Sequence, residues 1–204
     1  MVQNQASKNI SFKGELLRKL THLGAFTIPV GYYVLGLSRS EGLIIMIPIT
    51  LLMIMIDISR LRGWELWDRI GWLIRPMLRR TETGGDFTGA TYILVTACLV
   101  IAIFSKPIAV ASLAFIIAGD PPSALIGSRW GKRRFKNKSF EGSLSFLAAA
   151  LIVALITPGL PLTVTLIGAV VATVTEAVSF EIDDNITVPL VSGLAMFLLL
   201  KLFF

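Results

Sequence analysis

Apolar residues in this chain come in long unbroken runs, without the alternation of a half-buried strand or the narrow stripe of a surface helix. Runs near the roughly 20 residues needed to cross a hydrocarbon core occur at Leu20–Leu37, Gly42–Ile58, Phe87–Phe104, Leu144–Thr157, Leu162–Phe180 and Val188–Phe204, with a shorter one at Pro107–Ala118. In chain order they predict an all-α, polytopic integral membrane protein with about seven transmembrane helices. The short fourth run ends at Gly119-Asp120-Pro121-Pro122. Asp followed by Pro is a good N-cap and first-turn pair, so the fourth helix is expected to break there and a short new helix to begin at Asp120. Between the second and third runs, Trp64, Leu66, Trp67, Ile70, Trp72, Leu73 and Ile74 are mixed with arginines. That mixture predicts an amphipathic interfacial helix near residues 62–78.

The polar connections set an orientation. With the N-terminus in the cytoplasm, all but three of the 19 Lys and Arg residues fall in inner segments; Arg39, Lys106 and Lys201 fall outside. The positive-inside rule expects such a split. The predicted arrangement has the N-terminus inside and the C-terminus outside. Residues 1–204 form a single membrane-embedded catalytic domain, with residues 1–19 as a cytoplasmic N-terminal segment. The outer connections are very short, so chemistry with a water-soluble partner belongs on the cytoplasmic face. No cleavable signal peptide is expected, because the first apolar run is long and lacks a small-residue cleavage site. The expected location is the plasma membrane of a prokaryote.

Composition narrows the class. A chain of 204 residues that is 54% hydrophobic and 16% charged, with a mean hydropathy of +0.77, is neither a water-soluble globular domain nor a disordered segment. One Cys and one His exclude an intrachain disulfide framework, a Cys-based zinc site and a multi-histidine metal centre. A net charge of +6 in so apolar a chain is explained by cytoplasmic loops and lipid headgroups, without nucleic acid as a partner.

Carboxylates inside or beside apolar spans are expensive and point to function. Asp57, Asp120, Glu176, Asp183 and Asp184 all converge on one membrane face in this topology, where such groups could hold Mg²⁺ together with phosphates. One of Asp183 and Asp184 is also expected to cap the last helix. Glu15, Arg18, Lys19 and His22 are spaced to share one helix face entering the first span. His22 is the sole imidazole and is either a base or an interfacial hydrogen-bonding residue. The segment Gly119–Gly142 places Gly127 and Gly131 ahead of Lys132 and a basic run. Such a loop can cradle polyphosphate, or it can simply set topology. It is not a P-loop, since three residues separate the glycines and Arg133 follows Lys132. Cys98 is expected to be inert packing.

Six pieces occur in order along the chain: EllRKltH (Glu15–His22), miDisRl (Met55–Leu61), mlRRtE…fTGAtYil (Met77–Leu94), GDPpsAliGsrwGK (Gly119–Lys132), nKSfEGSlsF (Asn137–Phe146) and tEavsfeiDDNitvPL (Thr175–Leu190). This set resembles the CTP-dependent polyprenol and lipid kinases: dolichol kinase, phytol kinase and the CTP-dependent diacylglycerol kinase. The resemblance implies that Arg18 and Lys19 are the basic pair before the first catalytic span. It also implies that Asp120 and Gly127 belong to the nucleotide segment. Lys132, Lys138, Ser139, Glu141 and Gly142 extend that segment, and Glu176, Asp184 and Asn185 match the acidic motif before the last span.

The implied reaction moves the γ-phosphoryl group of CTP to a membrane lipid alcohol, either an isoprenoid such as phytol, geranylgeraniol or dolichol, or diacylglycerol. Mg²⁺ is expected between the phosphates and carboxylates from Asp120, Glu176 or Asp184. Lys132, Lys138 and the Arg18-Lys19 pair offset phosphate charge. Asp120 is the first candidate for general base and His22 the second. Two rivals remain. A phosphatidate cytidylyltransferase carries a His-Gly-Gly stretch, which a chain whose sole histidine is His22 does not contain. A transporter or non-catalytic lipid-binding protein predicts an internal repeat and polar residues toward both faces, and the sequence has neither.

Overall fold

The computed structural model describes residues 20–75, 78, 80–83, 85–135, 138–178 and 182–203. The described residues are mostly helical. After a helical turn at residues 20–24, the elements are α1 (Thr27–Val34), α2 (Arg39–Arg62), α3 (Glu65–Ile74), α4 (Arg80–Thr83), α5 (Gly89–Ile103) and α6 (Lys106–Trp130). A two-stranded antiparallel hairpin follows, β1 (Arg134–Phe135) and β2 (Lys138–Ser139), pairing Arg134 with Ser139 and Phe135 with Lys138. Then come α7 (Phe140–Ile156), α8 (Leu162–Val178) and α9 (Asp184–Phe203).

Local chemistry explains where several helices begin and end. Ser38 opens α2 with a capping box: its Oγ accepts from the Glu41 N–H at 3.3 Å, and Glu41 Oε2 accepts from the Ser38 N–H at 2.7 Å. These bonds satisfy two of the backbone donors a helix start leaves orphaned. Gly63, left-handed at φ 64°, ends the same helix. Thr88 caps α5 and Ser139 caps α7, each with its hydroxyl on the N–H three residues ahead.

Among the described residues, three helices are long and apolar enough to cross a membrane: α2, α6 and α9. Helices α7 and α8 have 17 residues and α5 has 15, at or below the lower bound for a span. The expected first span is interrupted. A turn at Ala25–Phe26 separates residues 20–24 from α1, just ahead of Pro29, whose ring nitrogen has no proton to give the Ala25 carbonyl. The expected break in the fourth span does not occur. Helix α6 runs unbroken through Asp120, Pro121 and Pro122 to Trp130. The prolines remove two i→i−4 bonds, but tertiary packing holds the helix.

Helix α6 is the centre of the bundle. It packs against α7 most extensively, and also against α9, α1, α5 and α8. Two-thirds of its most apolar stretch is buried inside the protein, with Ile108, Leu113, Phe115, Ile116 and Ile117 at or below 1% exposure. Close approach depends on small residues, as between helices in lipid. Ala109, Ala111 and Ser112 of α6 and Ala150 and Ala154 of α7 are buried. A Cβ on Gly119 would sit 2.5 Å from the Phe146 ring of α7, so only glycine admits that ring. Helices α2 and α5 pair beside this core, and α3 folds back against α2. Helix α3 has the amphipathic character expected of residues 62–78, with Trp67 and Gly71 buried and Trp64, Trp72 and Leu73 exposed. Arg75 lies over the Trp67 ring at 5.6 Å, a cation–π contact.

Candidate functional site

Polar groups gather where the C-terminal parts of α2, α6 and α8 meet the starts of α5, α7 and α9. Two charge networks flank a cavity there.

The first network centres on Glu176 of α8, whose side chain is 1% exposed. A carboxylate so deeply buried needs partners for its charge and its lone pairs. The Lys138 ammonium, on β2, donates to Glu176 Oε1 at 2.7 Å and to Asp184 Oδ2 at 2.6 Å. Ser123 of α6 donates to Oε1 at 3.0 Å, and Ser143 of α7 donates to Oε2 at 3.2 Å. Four elements are thus tied through one side chain. Burial alone would lower the Lys138 pKa, but the Asp184 and Glu176 carboxylates outweigh it and hold the ammonium above the ordinary lysine value of 10.5. Lys138 is therefore charged wherever the protein is folded at physiological pH.

The second network centres on Asp57, at the end of α2 and 1% exposed. Its Oδ2 accepts from the Thr88 N–H and Thr88 hydroxyl, both at 2.8 Å, and from the Thr91 hydroxyl at 2.6 Å. Its Oδ1 accepts from Arg60 Nε at 3.1 Å. The Arg60 guanidinium continues to the backbone carbonyls of Glu82 and Asp86. Glu82 in turn accepts the Gly89 N–H at 3.0 Å. Asp57 and Glu82 thus satisfy orphan donors and the positive pole at the start of α5.

Between the networks lies a cavity of about 350 Å³. Its polar lining is Thr21, His22, Glu82, Thr88, Asp120 and Asn185. Ala25, Ile28, Met53, Ile93 and Leu94 make an apolar wall. His22 Nε2 lies 3.4 Å from the Ile116 carbonyl, one turn before Asp120 on α6. Among the described residues Asp120 carries no hydrogen bond or ion pair, unlike Glu176 and Asp57. Asn185 is held by Asp183, whose Oδ1 accepts both the Asn185 N–H at 2.9 Å and its side-chain amide at 2.8 Å. Asp183 is therefore the residue that caps α9.

The residues singled out from sequence divide accordingly. Asp120, His22 and Asn185 come together in the cavity. Glu176, Asp184 and Lys138 form the adjacent ion network. Arg18 and Lys19 lie outside the described residues. Gly127, Gly131 and Gly142 surround Ser139: a Cβ on Gly127 or Gly131 would meet that side chain at 2.8 Å, and one on Gly142 at 2.9 Å. These three glycines thus have a packing reason, the close crossing of α6, the hairpin and α7. Lys132 is exposed in the loop after α6. Glu141 accepts the Arg133 N–H at 3.4 Å and closes the base of the hairpin. Ser123 and Thr91 escaped sequence reasoning, and Arg60, Thr88 and Ser143 stood in the matched pieces without a role. Their roles come from bonds spanning 31 to 53 residues or from a neighbour on the same turn, and small hydroxyls carry no periodic signal.

The donor set bears on where a divalent cation fits. Among the described residues, no three His, Cys, Asp or Glu side chains gather round one point. The Lys138 ammonium already bridges Glu176 and Asp184. Mg²⁺ commonly binds through one or two carboxylates plus substrate phosphates, and Asp120, in the cavity, is the carboxylate suited to that arrangement.

The chain is 25% identical to the CTP-dependent diacylglycerol kinase 1 of Schizosaccharomyces pombe over 158 residues, 68% of this chain and 72% of that protein. It is 33% identical to the phytol kinase of Synechocystis over 135 residues, 58% of each chain. It is 30% identical to the chloroplastic farnesol kinase of Arabidopsis thaliana over 145 residues, 62% of this chain and 47% of that one. The match thus spans about half the length of the last two relatives. No family model and no solved structure matches the chain. Together with the apolar helices, these similarities support a membrane lipid kinase at a coarse level.

Proposed function

We propose that the protein transfers the γ-phosphoryl group of CTP to the hydroxyl of a membrane lipid alcohol at the cytoplasmic face. The observation that carries this reading is the cavity. Its apolar lining suits a lipid, and Asp120 and His22 both line it although 98 residues separate them in sequence.

The chemistry follows from those groups. The alcohol oxygen attacks the γ-phosphorus, its bond to the bridging oxygen of CDP breaks, and the hydroxyl proton passes to a base. Asp120 Oδ is the first candidate, because no described partner competes for it. His22 is the second. The exposed Lys132, Arg133 and Arg134, with Arg18 and Lys19, supply positive charge for the nucleotide phosphates. Asp120 would be the residue to hold Mg²⁺, which would supply neutralisation of phosphate charge; with Asp120 so engaged, the base role would pass to His22. Lys138 has a different task from the others, since its ammonium is committed to Glu176 and Asp184.

The test uses purified protein with Mg²⁺, a pool of lipid alcohols, and CTP labelled at the α- or the γ-phosphate. Label from the γ position in lipid is the expected result. Label from the α position in lipid, with phosphatidate supplied, means a cytidylyltransferase and overturns the reading. Asp120→Asn should abolish turnover while its melting temperature stays near wild type; normal turnover in that variant removes Asp120 from its role.

A further inference from the structure

Asp120 is not alone in bringing an unused oxygen to the cavity. Asn185 also lines it and is 5% exposed. The Asp183 carboxylate can only accept, so the arm of the Asn185 carboxamide that meets it at 2.8 Å is the nitrogen. That nitrogen also lies toward the start of α5, where a Cβ on Gly89 would come within 3.4 Å of it. Oδ1 is the opposite arm. It has no partner among the described residues, whereas a buried polar oxygen ordinarily has one.

The ion network draws these two oxygens into one place. Ser123, a turn after Asp120 on α6, donates to Glu176, and Lys138 ties Glu176 to Asp184, the neighbour of Asn185. The same tie takes Glu176 and Asp184 away from a cation, since the ammonium already meets their charge. Glu82 Oε1 holds the Gly89 N–H. An amide oxygen is a competent ligand for a hard cation, because carboxylate, carbonyl and water oxygens all suit Mg²⁺ and Mn²⁺. It adds a ligand without adding a buried charge. The positive pole at the start of α9 opposes a cation there, and the Asp183 carboxylate that caps the helix offsets it.

Resting on the kinase reading above, we propose that Asn185 Oδ1 is the second protein ligand of the divalent cation that Asp120 holds, with Asp183 fixing which end of the amide faces it. The remaining positions fall to nucleotide phosphates and water.

The probe is Mn²⁺ alone, titrated into the purified full chain in detergent and followed by loss of the free-ion electron paramagnetic resonance signal. Asn185→Ala and Asn185→Leu, two independent removals of the oxygen, should each weaken uptake about 10-fold or more. Asn185→Asp keeps an oxygen and loses the N–H, so it should bind Mn²⁺ at least as tightly as wild type. A role as hydrogen-bond donor or as packing predicts no such split between Asp and the other two. Melting temperatures without metal identify the folded variants. Uptake equal to wild type in a folded Ala or Leu variant, whether strong or nil, overturns the inference, and so does an Asp variant that binds as poorly as they do. If γ-label from CTP still reaches lipid in wild type, that outcome leaves the kinase reading intact. The expected split in Mn²⁺ uptake, with no phosphoryl transfer to any lipid, keeps the cation site and overturns the kinase reading instead.

Discussion

Replacing Lys138 with Met tests the central ion network most directly. Met keeps most of the aliphatic stem and removes the ammonium. The carboxylates left behind are unequal: Glu176 is 1% exposed and Asp184 23%. Asp184 can be rehydrated where it stands, whereas Glu176 cannot. Removing one partner of a buried ion pair costs about 3–5 kcal/mol, because the survivor is an uncompensated charge. The hydroxyls of Ser123 and Ser143 still donate to Glu176, which sets the expected loss near the lower end, about 3 kcal/mol. For a chain of this size each kcal/mol moves the melting temperature by roughly 2–4 °C, so Lys138→Met should melt about 6–12 °C below wild type in the same detergent. Adding Glu176→Gln removes the stranded charge while keeping an oxygen for the serines. The double variant should therefore melt above the single one, a coupling that a double-mutant cycle reads directly. A single variant melting within about 2 °C of wild type, or a double variant no better than the single, refutes the view that this pairing secures α8 and α9 to the hairpin.

The network also predicts a pH response. Lys138 has a folded pKa raised above 10.5, so its stabilisation is complete below the unfolded lysine value and is lost as pH rises through the folded one; wild type should converge on Lys138→Met only in that alkaline range, and convergence below pH 9 contradicts it. Asp57→Asn should cost about 2–4 kcal/mol in thermal unfolding, since an amide cannot accept from the Thr88 and Thr91 donors on one oxygen and still accept from Arg60 on the other. Gly119→Ala should destabilise by about 1–3 kcal/mol because its methyl meets the Phe146 ring. Gly31→Ala, inside α1 with nothing within 4 Å, should instead stabilise by about 0.5–1 kcal/mol, and a loss there refutes the open space around it.

What the sequence made legible, and what it did not, divides along the range of the forces involved. The body of α2 was readable from the apolar run Gly42–Ile58, but its ends, set by Ser38 with Glu41 and by Gly63, were not read. The cap of α9 was narrowed to Asp183 or Asp184, because such a cap reaches only two residues ahead. The fourth span was misjudged on an equally local signal. Asp120-Pro121-Pro122 has the chemistry of a helix start, yet α6 continues through it because its flanks are locked against α7 and α9. Pro29 marks the interruption that does exist, and it lay in a run whose length alone suggested one straight helix. Lys138 was placed with the nucleotide segment by the resemblance, and its pairing with Glu176, 38 residues away, carries no sequence pattern.

The pairing of Lys138 changes how charge is divided in the site. A lysine in a glycine-rich basic segment next to a nucleotide is ordinarily assigned to phosphate. Here the ammonium is 20% exposed and neutralises two carboxylates, and drawing it onto a phosphate would strand Glu176 in the protein interior. On the proposed function, phosphate charge would be met at far lower cost by the exposed Lys132, Arg133 and Arg134, whose side chains already lie in water. Asp120 stands at the opposite extreme, a carboxylate inside the cavity with no described partner to lose. Committing Lys138 to Glu176 and Asp184 fixes the framework on which Asn185 is mounted. It also leaves Asp120, which has no partner among the described residues, free to interact with whatever enters.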